Sequence, residues 1–293
     1  MLKVLNFFKI GRILEYLVKK FKFKKTQKLS FIIFQIVCIL VSFILIAIFH
    51  PKKTGWWIFQ HTKYYAEYFI GFAYIISSFY LILLTYWYNN SDKTFNWKIS
   101  VKAFLICGVT SVLLSLCILY PLWDFIGFYE VESGWWIFKS KKIVARDPII
   151  KLLEDSGAIA GPVEELSKLI AVLLIPSVRK SIKDEKSGTW VSVLCAFGFA
   201  MIENIMYFIS NEKVLLIRAN PAHAVFSVVW GSALGKLIDQ KISFKEFLKY
   251  LLYGMGLHAA WNYFASFHII LFCILFIMVS FYGLFYIKKR ISC

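Results

Sequence analysis

Apolar residues gather along this chain into stretches of about twenty, separated by shorter segments rich in polar and basic residues. At a rise of about 1.5 Å per residue, a helix of that length crosses a hydrocarbon core of roughly 30 Å. The pattern predicts spans near 29–49, 65–87, 103–123, 157–177, 189–210, 219–238, 246–265 and 267–287. The sixth and seventh carry polar residues inside the apolar run, as do the fourth and fifth. The expected fold is therefore all-α, a polytopic membrane helical bundle of about eight transmembrane helices. Composition agrees: 59% of the 293 residues are hydrophobic and 19% aromatic, against roughly 45–50% apolar residues in soluble domains.

Charge orients the bundle. The first 28 residues hold nine Lys or Arg, and Ile10, Ile13, Leu14, Leu17, Val18 and Phe21 fall on one helical face opposite Arg12, Glu15, Lys19 and Lys20. Such a helix lies on a surface of anionic lipids. The span after it is too long for a signal peptide and lacks a small-residue cleavage site, so it stays in the mature protein. With the N-terminus inside, inner segments carry 23 basic residues and outer segments 10. Because cytoplasmic loops hold the excess of Lys and Arg, both termini are expected in the cytoplasm of a multi-pass protein of the cell membrane. The net charge of +17 then sits mostly beside acidic headgroups and calls for no nucleic acid.

Two features carry less. The string Gly55-Trp56-Trp57-Ile58-Phe59 recurs as Gly134-Trp135-Trp136-Ile137-Phe138, and both copies follow an outward helix, where Trp anchors the headgroup region. The six cysteines, Cys38, Cys107, Cys117, Cys195, Cys273 and Cys293, show no C-x-x-C spacing. They read as small apolar residues.

From residue 157 four consecutive helices place ionisable groups inside the apolar layer. A charge near the bilayer centre costs about 2.5–3.5 kcal/mol, so such groups face a protein interior and mark function. The fourth helix carries Glu164, Glu165 and Lys168, where the i, i+4 spacing lets Glu164 pair with Lys168 and leaves Glu165 free to accept a proton. The fifth carries Glu203, Asn204 and Tyr207, with Tyr207 one turn from Glu203. The sixth opens with His223 after Asn220-Pro221-Ala222, and the seventh sets His258 beside Asn262. Counted from the expected outer ends, Glu164 and Glu203 lie roughly 10 Å deep, His223 roughly 6 Å and His258 roughly 12 Å. Each motif alone fits interhelical hydrogen bonding; their common depth predicts one site in the outer half of the membrane.

Carboxylates and histidines without a plausible Ser or Cys nucleophile point to an activated water, with His and Asn donors for an oxyanion. Ser167 and Ser227 have no base identifiable from the sequence. A zinc ion held by Glu203, His223 and His258 is a second route to the same nucleophile, with Glu164 or Glu165 as base. The chain thus divides into a basic amphipathic cytoplasmic leader (1–28), a three-helix transmembrane support (29–123), an extracytoplasmic loop (124–156), a four-helix core expected to be catalytic (157–265), and a closing helix with cytoplasmic tail (266–293).

At these residues the sequence resembles the PrsW family of bacterial intramembrane proteases, which shares a superfamily with CAAX prenyl-protein proteases and bacteriocin-immunity homologues. The likeness rests on Glu164-Glu165-x-x-Lys168, Phe199-x-x-x-Glu203-Asn204-x-x-Tyr207, His223 followed by Trp230-Gly231, and His258-x-x-Trp261-Asn262, across roughly 157–265. It implies a bundle of about eight helices and cleavage of a membrane-tethered protein, such as an anti-sigma factor, on the extracytoplasmic side. Lys168 stands where the CAAX branch carries an Arg one residue later, and Glu203 where that branch carries a His, which points away from prenylated substrates. Two other functions suit intramembrane acids and histidines: a proton- or ion-coupled transporter, and a non-catalytic immunity or binding member of the same superfamily.

Overall fold

A computed structural model of the chain describes residues 33, 80–81, 84–85, 96–125, 128–133, 140–145, 159–210, 221–267 and 269–292. The leader, nearly all of the first two expected spans and both aromatic strings lie outside the described residues. The later spans appear as helices close to their expected limits.

Helix α1 (Trp97–Val101) is capped by Asn96, whose Oδ1 accepts from the backbone N–H of Lys98 at 3.0 Å and Ile99 at 3.3 Å. It runs through a π-helical stretch (Lys102–Cys107) into α2 (Gly108–Phe125). Among the described residues, Trp97–Leu119 is the segment long and apolar enough to cross a membrane, with mean hydropathy 2.2, and Ala222–Ile238 is a shorter apolar helix.

The loop expected at 124–156 contains an antiparallel hairpin of β1 (Phe128–Ser133) and β2 (Ser140–Ala145), in register from Phe128↔Ala145 to Ser133↔Ser140. Among the described residues the fold is thus helical with one small added sheet. Its physical basis is the β-prone run Phe128-Tyr129-Glu130-Val131 opposite Ile143-Val144, too short for a helix.

Beyond the hairpin the helices pack tightly. Helix α3 (Ala160–Leu174) ends where Ile175 turns extended before Pro176, which opens the short α4 (Pro176–Arg179). Helix α5 (Glu185–Ser210) starts from a reciprocal cap: Ser187 N–H donates to Asp184 Oδ1 at 2.8 Å, and Asp184 N–H donates to Ser187 Oγ at 3.0 Å. Helix α6 (Ala222–Ile238) closes with Lys241 N–H on Lys236 C=O and Gln240 N–H on Leu237 C=O, and Gln240 takes the left-handed conformation at φ 56°. In the same turn the hydrogen bond from Lys241 to Asp239 holds the ammonium above its usual range. Helix α7 (Phe244–Phe267) opens on a second reciprocal cap between Ser243 and Glu246. Helix α8 (Ile269–Met278), a π-helical stretch (Val279–Gly283) and α9 (Leu284–Ser292) follow.

Helix α6 is sandwiched between α5 and α7, and α3 packs on α2 and α7. Small residues permit this. A Cβ on Gly188 of α5 would stand 2.8 Å from the nitrogen of Gly235 on α6, and one on Gly161 of α3 would stand 2.7 Å from that of Ala259 on α7. Close backbone approach of this kind is the usual way membrane helices associate. At the end of α5 remote from Glu203, Glu185 binds Lys236 of α6 at 3.2 Å and Arg290 of α9. Leu252, Tyr253, Phe281, Tyr282 and Phe285 are exposed, the surface of a bundle built to meet lipid. Among the described residues, Cys107 and Cys195 are buried and Cys117 is exposed, all three as free thiols.

Candidate active site

Four helices deliver the polar groups to one buried point: α3 brings Glu164, Glu165 and Lys168, α5 brings Glu203, α6 brings His223, and α7 brings His258; Asn204 follows Glu203 on α5. Glu165 and Lys168 are fully buried, and Glu164, Glu203, Asn204 and His258 are nearly so. The convergence expected from depth alone is present in the folded chain.

The pairing differs from the i, i+4 expectation. Lys168 Nζ lies 2.7 Å from Glu165 Oε1, an i, i+3 pair, while Glu164 Oε2 faces His258 Nε2 at 3.5 Å. Both spacings are available on a helix, and the neighbours decide between them. Glu165 points toward α6, where Ser227 Oγ donates to its Oε2 at 2.7 Å and Trp230 Nε1 donates at 2.9 Å. Its Oε1 takes Lys168 and the Nδ1 of His258 at 3.0 Å. An ionised carboxylate offers about four lone-pair sites, and here four donors fill them.

Lys168 has further company. Its Nζ is 3.1 Å from His223 Nδ1 and sits 4.2 Å from the centre of the Phe199 ring, a favourable place for a buried cation. Lys168 has only protons to offer, so Nδ1 of His223 accepts. The other ring nitrogen of His223, Nε2, stands 3.0 Å from Glu203 Oε2. The two imidazoles meet edge to face at 4.9 Å between centroids, and Phe226 stacks on His258 at 4.8 Å.

Glu164, His223 and His258 place possible ligand atoms within 4.8 Å of one another. This grouping has Glu164 where the sequence reading had Glu203, which adjoins it through His223. A carboxylate and two imidazoles form a donor set that zinc accepts, and Glu165 behind His258 is the carboxylate–histidine support common at such centres. His223 would have to give up one of its two present contacts to join. Asn262 lies one turn beyond His258 on α7 and is partly buried. The Tyr207 side chain lies outside the described residues.

Sequence reasoning left two participants without a role, Ser227 and Trp230. The signal was present: they follow His223 at i+4 and i+7, which puts all three on one face of α6.

The sequence profile of the PrsW family of intramembrane metalloproteases matches residues 96–287, and that range contains every residue of the cluster. The chain belongs to the PrsW family. Membership places it in a membrane. It is similar to protease PrsW of Clostridioides difficile (strain 630), with 33% identity over 96 residues. That alignment covers 29% of this chain and 40% of the relative, so the chain spans less than half of the PrsW relative's length. No solved structure matches the chain.

Proposed function

We propose that this protein is an intramembrane peptidase that hydrolyses a peptide bond of a membrane-tethered protein, with Glu164 as the base that activates water. The observation behind the reading is the contrast between adjacent carboxylates. Glu165 is saturated by four donors, and protonating it would break charge-assisted bonds in a dry site. Glu164 instead faces a histidine nitrogen. Because Nδ1 of His258 donates to Glu165, its Nε2 keeps a lone pair turned to Glu164.

Glu164 removes the proton as the water oxygen attacks the carbonyl carbon. Amide groups of Asn204 and Asn262 donate to the oxyanion, together with the Tyr207 hydroxyl assigned from the sequence. As the carbon–nitrogen bond breaks, the proton on Glu164 passes to the leaving amine. A zinc ion, which Glu164, His223 and His258 would hold, supplies Lewis acidity and a lowered water pKa when bound, and Glu203 is then the carboxylate left to take the proton.

The topology belongs to the same proposal: eight spans, both termini cytoplasmic, the leader on anionic lipid and the scissile bond on the outer side. The likeness to the family makes an anti-sigma factor a natural substrate. Family membership weighs against an ion-coupled transporter.

The test compares membrane proteomes of cells carrying the wild type and Glu164→Ala. A single-pass protein that accumulates intact in the variant, and is trimmed in the wild type, supports the peptidase and names its substrate. Identical proteomes would overturn it.

A further inference from the structure

We infer that Ser227 and Trp230 are positioning residues that aim His258 through Glu165. The inference takes the peptidase reading as its frame. Its physical core is the geometry of a single carboxylate. On Oε2, Ser227 Oγ and Trp230 Nε1 donate at 2.7 and 2.9 Å; on Oε1, Lys168 Nζ and His258 Nδ1 donate at 2.7 and 3.0 Å.

The plane of a carboxylate turns easily about its last side-chain torsion. Two donors from one helix fix the far oxygen and thereby the direction of the near one. Ser227 and Trp230 are both fully buried, so no solvent replaces a donor that is removed. The near oxygen then holds the Nδ1 proton of His258, and that proton sets which nitrogen faces Glu164. Phe226, on the same helix, stacks on the ring at 4.8 Å and limits its tilt without choosing which nitrogen carries the proton.

The chemistry also separates this role from plain packing. Trp230→Phe retains most of the ring and removes the N–H. Ser227→Ala removes only the hydroxyl, and Ser227→Thr restores it. A packing role follows side-chain volume; a positioning role follows the donors.

The experiment uses the full chain in lipid with 15N-labelled histidine, and assigns the His258 signals by their loss in His258→Gln. The wild type should show a hydrogen-bonded Nδ1–H on His258. Ser227→Ala and Trp230→Phe should weaken or abolish that signal, and Ser227→Thr should keep it. In cells, the protein that accumulates with Glu164→Ala should be trimmed about ten- to a hundred-fold more slowly with Ser227→Ala or Trp230→Phe, the range for losing support behind a functional histidine, and at near the wild-type rate with Ser227→Thr. An unchanged Nδ1–H signal in Ser227→Ala and Trp230→Phe overturns the inference. If the signal changes as stated while Glu164→Ala makes no protein accumulate, the positioning role stands and the peptidase reading falls.

Discussion

Lys168 Nζ and Glu165 Oε1 lie 2.7 Å apart with both side chains fully buried. A charge pair out of water is stable only when every remaining proton and lone pair has a partner. That condition is met here by His223 and Phe199 around the ammonium, and by Ser227, Trp230 and His258 around the carboxylate. The pair is therefore the fixed centre of the cluster, and Glu164 and Glu203 stand at its edge against the two histidines.

The first consequence concerns stability. Lys168→Met or Glu165→Gln leaves a buried group without its counter-charge, a loss of about 3–5 kcal/mol for pairs of this kind. Both variants should show reduced folded protein in detergent, measured by thermal unfolding. Normal melting of Lys168→Met would show that the ammonium is not part of the packed core.

Glu164→Gln should behave in the opposite way. It lies outside the saturated network, so the folded protein should remain abundant while cleavage falls to background, because an amide keeps the shape and cannot take a proton. Wild-type cleavage by Glu164→Gln would remove it from the role of base.

The contrast between these two glutamates marks the limit of helical arithmetic. Hydropathy located the helices from 103 onward, because a long apolar run favours a helix whatever its partners. Depth counting then brought Glu164, Glu203, His223 and His258 to one level, since antiparallel helices of similar length share a frame. It could not choose between Lys168–Glu164 and Lys168–Glu165. Spacing allows both, and the choice is made by Ser227 and Trp230, which are distant in sequence. The hairpin at 128–145 was missed for a related reason: each strand is six residues long, and pairing between two short segments is a non-local fact.

Backbone strain offers a test away from the site. Gln240 holds φ 56° at the end of α6, where the motif favours glycine. Gln240→Gly should raise the stability of the folded protein by roughly 0.5–1 kcal/mol and leave cleavage unchanged. A lower melting temperature would mean that the Gln240 side chain contributes more than its backbone conformation costs.

Topology can be read chemically. In a background without native cysteines, a cysteine at Ser133, the last residue of β1, should react with an impermeant thiol reagent added to intact cells. One at Ser181, in the turn between α4 and α5, should react only after lysis. The reverse pattern would put the hairpin in the cytoplasm and move the proposed cleavage to the other side.

The metal ligands can be separated by the two carboxylates at the edge of the cluster. Common depth along the helices grouped Glu203 with His223 and His258, whereas the atoms that lie within 4.8 Å of one another belong to Glu164, His223 and His258. A three-ligand zinc centre loses most of its affinity when a ligand is removed, and about ten- to a hundred-fold when a supporting residue is removed. On the zinc route, in which Glu164 is a ligand and Glu203 takes the proton, purified wild type should hold near one zinc per chain, and a strong chelator should remove it with loss of activity that zinc restores. Glu164→Ala should purify nearly zinc-free. Glu203→Ala should keep zinc with weakened affinity, since Glu203 touches His223 Nε2 at 3.0 Å. Zinc lost from Glu203→Ala and kept in Glu164→Ala would restore the ligand set read from the sequence. Full activity of the metal-free wild type would leave Glu164 to activate water without an ion.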